Sequence, residues 1–267
     1  MPVMGAIATS RGFIGFDAQG QRERLPILFL HGVGSDKSVW RPQLAFFGRS
    51  RRAIAFDYPG YGESALQPGA KRDDFALAIL AAMDALEVKR AHICGLSLGG
   101  VIAIAMHALA TRRCVSLVLA DSFAVHPEGK AIHQRSVEAS RAMAMRYLAE
   151  ARVDMLLGSA ATPALRAEVV ETMAAIDPEA YRIGAEAVWL ADQSNRASKI
   201  DVPALILCGD EDRITPPALS EDLAGIVPGA RFELIEGAGH LSNAEQPVAF
   251  NQAVERFLAE VERDSPR

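Results

Sequence analysis

The sequence predicts an α/β fold: a mostly parallel central sheet flanked by helices, with an inserted helical cap. Three observations carry this expectation. Five short, almost unbroken apolar runs recur at residues 26–30, 53–56, 91–94, 117–120 and 204–208, each ending in small or polar residues, as strands buried on both faces require. Helical patterns at 73–86 and 98–109 fall between them, and such βα alternation makes a parallel sheet covered on both faces. From about 123 to 199 no strand-like run occurs, and the residues read as several helices rich in Ala, Met, Arg and Glu.

Taken in order, a strand signal at 12–16 precedes the run at 26–30, which stops abruptly at His31-Gly32-Val33-Gly34. The later runs stop before Asp57, Gly95, Asp121 and Gly209, and a further run at 231–235 stops before Glu236. In sheets of this kind, ligand sites collect outside the carboxyl ends of the strands. Pro163 and the pair Asp177-Pro178 divide the inserted stretch, and Ile200-Asp201-Val202-Pro203 marks the return to the sheet. The expected division is a core domain of residues 1–122 and 200–267 and a cap of 123–199, with a tail that frays after about residue 260.

Composition narrows the function classes. At 267 residues, 50% of them apolar, the chain is long enough for one large α/β domain with an insertion. Its three cysteines, Cys94, Cys114 and Cys208, sit in apolar runs without a Cys-x-x-Cys pair, which reads as core packing in a reducing compartment. No signal-peptide pattern opens the sequence and no run approaches the roughly 18 apolar residues of a membrane span, so a cytoplasmic location and no membrane partner are expected. A net charge of −5 with interspersed signs offers nucleic acid no electrostatic footprint.

The local signal for chemistry is Gly95-Leu96-Ser97-Leu98-Gly99-Gly100, a Gly-x-Ser-x-Gly between a predicted strand and a predicted helix. So tight a turn leaves little room for Cβ atoms beside the serine and lifts its hydroxyl above the sheet. A serine hydroxyl is a weak nucleophile at neutral pH, so it needs a base and a group that holds the base in the right tautomer. The chain supplies an acidic cluster, Asp210-Glu211-Asp212, after one strand run and Gly239-His240 after the next. Spacing alone leaves open which of the three carboxylates serves. The developing oxyanion needs two donors, and the backbone amides of Leu98 and Val33 are placed to supply them. His31 reads as structural. His92, His107, His126 and His133 lack zinc-site spacing, and Gly32-Val33-Gly34 is followed by Lys37 where a dinucleotide fingerprint needs glycine or alanine, so no metal and no cofactor are expected.

These residues carry a resemblance. His31-Gly32-x-Gly34, Asp57-x-Pro-Gly-x-Gly-x-Ser64, Gly95-x-Ser97-x-Gly-Gly100, Gly209-x-x-Asp212-x-x-Thr-Pro216 and Gly237-x-Gly-His240 together resemble the α/β-hydrolase superfamily, across nearly all of the chain outside the cap. The resemblance implies the α/β-hydrolase fold, a triad of Ser97, His240 and Asp212, and loop or capping roles for Asp210 and Glu211. Within the superfamily, residues 95–100 and 239–247 resemble the 3-oxoadipate enol-lactonase branch, although the loop 31–35 departs from its form. That implies hydrolysis of a lactone or carboxylic ester in aromatic-compound catabolism. Its rivals are a carbon–carbon bond hydrolase, whose members usually carry tryptophan where this chain has Leu241, a cofactor-free perhydrolase, and a ligand receptor that keeps the fold without turnover.

The cap should roof the site. Met143, Met145, Tyr147, Leu148, Met155, Leu156, Leu157 and Trp189 are candidates, with Trp189, close before the return strand, the preferred substrate-binding residue. Arg135, Arg141, Arg146 and Arg152 read as a solvated face from which one could clamp a substrate carboxylate. The expected partner is a small-molecule substrate, with self-association left open.

Overall fold

In a computed structural model, which describes residues 3–21 and 24–264, eight strands form one sheet in the order β1-β2-β4-β3-β5-β6-β7-β8. The strands are β1 Val3–Thr9, β2 Gly12–Gln19, β3 Ile27–Leu30, β4 Ala53–Phe56, β5 Ala91–Leu96, β6 Cys114–Ala120, β7 Ala204–Gly209 and β8 Arg231–Ile235. From β4 to β8 all pairings are parallel, while β1 and β2 extend one edge as an antiparallel pair. The five apolar runs form β3 to β7, and every residue of these five strands is buried, as strands covered on both faces must be.

The sequence reading missed β1 and cut β2 short. β1 is an edge strand interrupted by Gly5, with Val3 and Met4 exposed, so no clean alternation marks it; its order comes from pairing with β2, residue for residue from Val3↔Ala18 to Thr9↔Gly12.

The helices are α1 Arg41–Phe47, α2 Arg72–Ala85, α3 Leu98–Ala110, α4 Gly129–Ala142, α5 Met145–Leu156, α6 Pro163–Ala174, α7 Pro178–Trp189, α8 Ser194–Ala197, α9 Pro217–Ile226, α10 Ser242–Glu245 and α11 Pro247–Asp264. On one face α1 packs against α11, and Phe29, Trp40 and Phe250 meet between them in a run of ring contacts at 4.9 and 6.0 Å. α2 and α3 pack together, and α9 lies on β7 and β8. Five helices, α4 to α8, fill the stretch between β6 and β7. Two of them start where proline punctuation placed a break: α6 at Pro163 after the N-cap Thr162, and α7 at Pro178, where Asp177 accepts from the amides of Glu179 and Ala180. The expected fraying after residue 260 is corrected by α11, which continues to Asp264 with Val261 buried on the core; residues 265–267 lie outside the described part.

The strand order fixes where a site can form. From β3 the chain runs to β4 on one side and then crosses to β5 on the other, so the loops leaving β3 and β5 diverge and open a crevice at their carboxyl ends. Gly32 and Ser97 lie on those two loops.

Candidate active site

Ser97 is the single residue between β5 and α3, with φ 55° and ψ −114°, a conformation that costs an L-residue about 1–3 kcal/mol. The neighbouring glycines make the turn feasible. A Cβ on Gly95 would lie 2.1 Å from the carbonyl oxygen of Gly99, and one on Gly99 would lie 2.0 Å from that of Leu30. Hydrogen bonds hold the turn from below: Ser97 N donates to Ala120 O at 2.9 Å, and Ser122 Oγ donates to Ser97 O at 2.9 Å.

Asp212 and His240 come from the loops after β7 and β8. His240 Nδ1 lies 2.8 Å from Asp212 Oδ2, with both side chains almost wholly buried. Asp212 Oδ1 accepts from the amides of Ile214 and Thr215 at 2.8 and 3.0 Å, so its loop folds around the carboxylate. Burial opposes the charge on Asp212, yet His240 and these donors outweigh it and hold the carboxyl below its ordinary range. Burial likewise disfavours a charged His240, but the Asp212 carboxylate prevails and raises the imidazole above 6.5. The other two acids are engaged elsewhere. Asp210 accepts from the Gly237 and Ala238 amides, and Glu211 from Ser159 N and Oγ.

Thr215 and Asp121 are partners that sequence reasoning did not assign. Thr215 Oγ1 lies 2.7 Å from Asp212 Oδ2 and 2.9 Å from the Asp121 carbonyl oxygen. Asp121, at the end of β6, is fully buried; its carboxylate accepts from Gly209 N at 2.8 Å and from the Ser242 hydroxyl. Burial, reinforced by the nearby Asp212, raises its carboxyl to about 8. Position at a strand's carboxyl end was the available signal for Asp121, but its partners come from 88 and 121 residues away. Asp121, Cys208 and Asp212 bring one donor atom each within 4.8 Å of one another. The two carboxylates are spent on protein donors and on His240, and burial pushes the Cys208 thiol well up, so this set suits a hydrogen-bond network better than a cation.

Across the crevice, a Cβ on Gly32 would lie 3.4 Å from Ser97 Cβ, so the loop after β3 touches the serine turn. Among the described residues the amides of Val33 and Leu98 have no protein acceptor, and Leu98 opens α3, where helix amides are left unpaired. His31 is structural, as expected. Its ring packs on Tyr58 and Tyr61 at 4.5 and 5.1 Å, its Nδ1 lies 2.8 Å from Gly32 O, and burial lowers its pKa.

Ser97, His240, Val33 and Trp189 share the wall of one cavity. The α4–α8 segment roofs it with Arg152 and Leu156 from α5, Val169 and Met173 from α6, and Tyr181 and Trp189 from α7. No hydrogen bond joins Ser97 Oγ to His240 among the described residues; His240 Nδ1 is engaged by Asp212. Trp189 is 2% exposed, stacks on Phe123 at 5.9 Å, and its indole N–H has no partner among the described residues. Of the other roof candidates only Leu156 reaches the cavity. Met143, Tyr147 and Met155 point outward, and Met145, Leu148 and Leu157 pack internally. Among the arginines, Arg146 pairs with Glu171 at 2.7 Å and Arg135 lies 4.0 Å from Glu128, whereas Arg152 lines the cavity without a carboxylate partner among the described residues.

A model of the alpha/beta hydrolase family matches residues 27–253. The chain is 28% identical over 253 residues to 3-oxoadipate enol-lactonase 2 of Acinetobacter baylyi, covering 90% of each. It superposes on the enol-lactonase of Burkholderia xenovorans with a TM-score of 0.89 at 28% identity, covering 96% of this chain and 100% of that one. A thermophilic esterase of Thermogutta terrifontis, solved with malate bound, gives 0.89 at 27% identity over 97% and 99%.

Proposed function

The chain belongs to the α/β-hydrolase family, and on that premise we propose that it is a serine hydrolase that opens a lactone or carboxylic ester of a small molecule, with Ser97, His240 and Asp212 as its triad. The observation that carries the reading is the 2.8 Å contact from His240 Nδ1 to Asp212, which leaves the other ring nitrogen for the cavity that Ser97 also lines. Ser97 Oγ attacks the acyl carbonyl while His240 Nε2 takes its proton. Negative charge grows on the carbonyl oxygen, and the unengaged amides of Val33 and Leu98 receive it; losing one such donor typically costs about 3–4 kcal/mol of barrier. Collapse expels the alkoxide, which takes the proton back from His240. In a lactone that leaving group stays tethered to the acyl chain. Water, deprotonated by the same imidazole, then clears the acyl-enzyme.

Likeness to 3-oxoadipate enol-lactonases over nine-tenths of the chain supports a lactone of aromatic-compound catabolism as the substrate. The pocket is compatible with one: its wall is mostly apolar, with the Arg152 guanidinium able to pair with a substrate carboxylate. Leu241 after the base, in place of the tryptophan of the carbon–carbon hydrolases, favours the same reading. The test is labelling by a fluorophosphonate. We expect the label on Ser97, its loss in Ser97→Ala, and competition by lactones in preference to vinylogous acids. A label that no lactone displaces would discard the lactone and keep a generic esterase, while labelling undiminished in Ser97→Ala would discard the triad.

A further inference from the structure

The loop that carries His240 is tied down from a direction that the chemistry above does not require. Its three successive amides are all taken. Gly239 N and Leu241 N donate to Glu245 Oε1 at 3.0 and 3.3 Å, and His240 N donates to the carbonyl oxygen of Leu156, the last residue of α5, at 2.9 Å. The second carboxylate oxygen of Glu245, Oε2, accepts from Gly158 N at 2.7 Å, two residues beyond that helix. One side chain at the end of α10 therefore holds amides on both flanks of His240 and an amide of the α5–α6 junction.

The two backbones meet where only glycine fits. A Cβ on Gly239 would lie 2.5 Å from Gly158 N, and one on Gly158 would lie 2.9 Å from Gly239 N. Three amide donors converge on one half-buried carboxylate, so removing it strands the donors as well as the charge. The junction has a second tie to the core, from Ser159 N and Oγ to Glu211, which touches no amide of residues 239–241. α5 also sends Arg152 and Leu156 into the cavity wall, so the helix that faces the substrate is the one whose end carries the backbone of His240.

We propose that Glu245 is a positioning residue, which seats the α5–α6 junction on the His240 loop so that the imidazole is aligned for Ser97 only while the roofing segment is docked. The proposal rests on the reading of His240 as the general base. A misplacement of about 1 Å at a reacting group can cost a hundredfold in rate, so a bolt on the base's own backbone is a sensitive point.

The test uses the full chain, with kcat and KM for p-nitrophenyl acetate, the rate of Ser97 labelling by a fluorophosphonate, and the thermal midpoint. Glu245→Gln keeps the size of the side chain but turns an NH2 group toward amide donors. We expect kcat and the labelling rate to fall together by about ten- to a hundredfold, with KM moving less than about threefold and the protein folded at the assay temperature. Glu245→Asp, which keeps the charge but withdraws the oxygens by one methylene, should recover only part of the loss. Glu211→Gln, which cuts the other tie, should keep kcat within about threefold. The proposal is overturned by unchanged kcat in Glu245→Gln, by full activity in Glu245→Asp, or by equal losses in Glu211→Gln and Glu245→Gln. If Glu245→Gln does not fold, the Asp variant decides. A parent protein inert to both reagents would overturn the base assignment itself, and shows before any variant is made.

Discussion

Two buried carboxylates of this protein each hold a nitrogen base at hydrogen-bond distance, and they differ in what lies beyond the pair. Asp212 holds His240 at 2.8 Å, and the imidazole forms part of a cavity wall. Asp57 holds Lys37 Nζ at 2.7 Å and Lys37 N at 2.8 Å, with Glu63 closing over the ammonium at 2.9 Å. That second pair is a knot. Ser64 Oγ donates to Asp57 O and accepts from Gly15 N, and a Cβ on Gly62 would lie 2.2 Å from Asp57 Oδ2, so the motif Asp57-x-Pro-Gly-x-Gly-x-Ser64 ties β2, β4 and their loops together. Burial and pairing are common to both. An imidazole base that borders a cavity is particular to the first, and that combination is what suits it to chemistry.

The comparison can be broken most directly by removing each carboxylate. Asp212→Asn should lower kcat for an activated ester by about 10⁴-fold, because an amide cannot fix the tautomer or stabilise the imidazolium. Asp57→Asn should change kcat by less than about tenfold while lowering the denaturation midpoint. Comparable losses of activity in the two variants would erase the distinction.

Stability should reverse the order. Lys37→Met leaves the Asp57 carboxylate, which is fully buried, without its cation, and should cost about 3–5 kcal/mol in urea unfolding.

The pairs should also separate by pH. Asp212 raises His240 above 6.5, and a base must be neutral to act, so the acid limb of kcat/KM is expected above that value. Lys37 is raised to about 12 despite burial, because Asp57 and Glu63 favour the ammonium. Its contribution to stability is thus fully present below 10.5 and is lost only as pH rises through about 12. An acid limb below 6.5 would contradict the ion-pair account of His240.

A further pH effect concerns Asp121, which lies behind the first pair. A carboxyl raised from 3.8 to about 8 stabilises the fold at low pH, and that contribution drains away as pH rises toward 8. Relative to the parent, Asp121→Asn should therefore gain stability between pH 5 and pH 8 and gain nothing further above it. A difference that stays flat with pH would mean that the carboxyl is ionised throughout.

The amino-acid sequence by itself determined the five central strands, the tight serine turn, and the order of a serine, an acidic cluster and a histidine at strand ends. Each is written in short-range terms: unbroken apolar runs, glycines around a serine, a proline or an N-cap at a helix start. The tertiary structure decided what depends on distant residues. It chose which faces of α5, α6 and α7 roof the cavity, bringing Val169, Met173 and Tyr181 to it and turning Met155 away, a choice set by packing between helices. It recruited β1 as an edge strand by pairing with β2. It also buried Asp121 against donors from the end of β7 and the start of α10 and brought Glu245 to the end of α5, because a carboxylate's partners are fixed by where separate segments meet, and the periodicity of one segment carries no record of that.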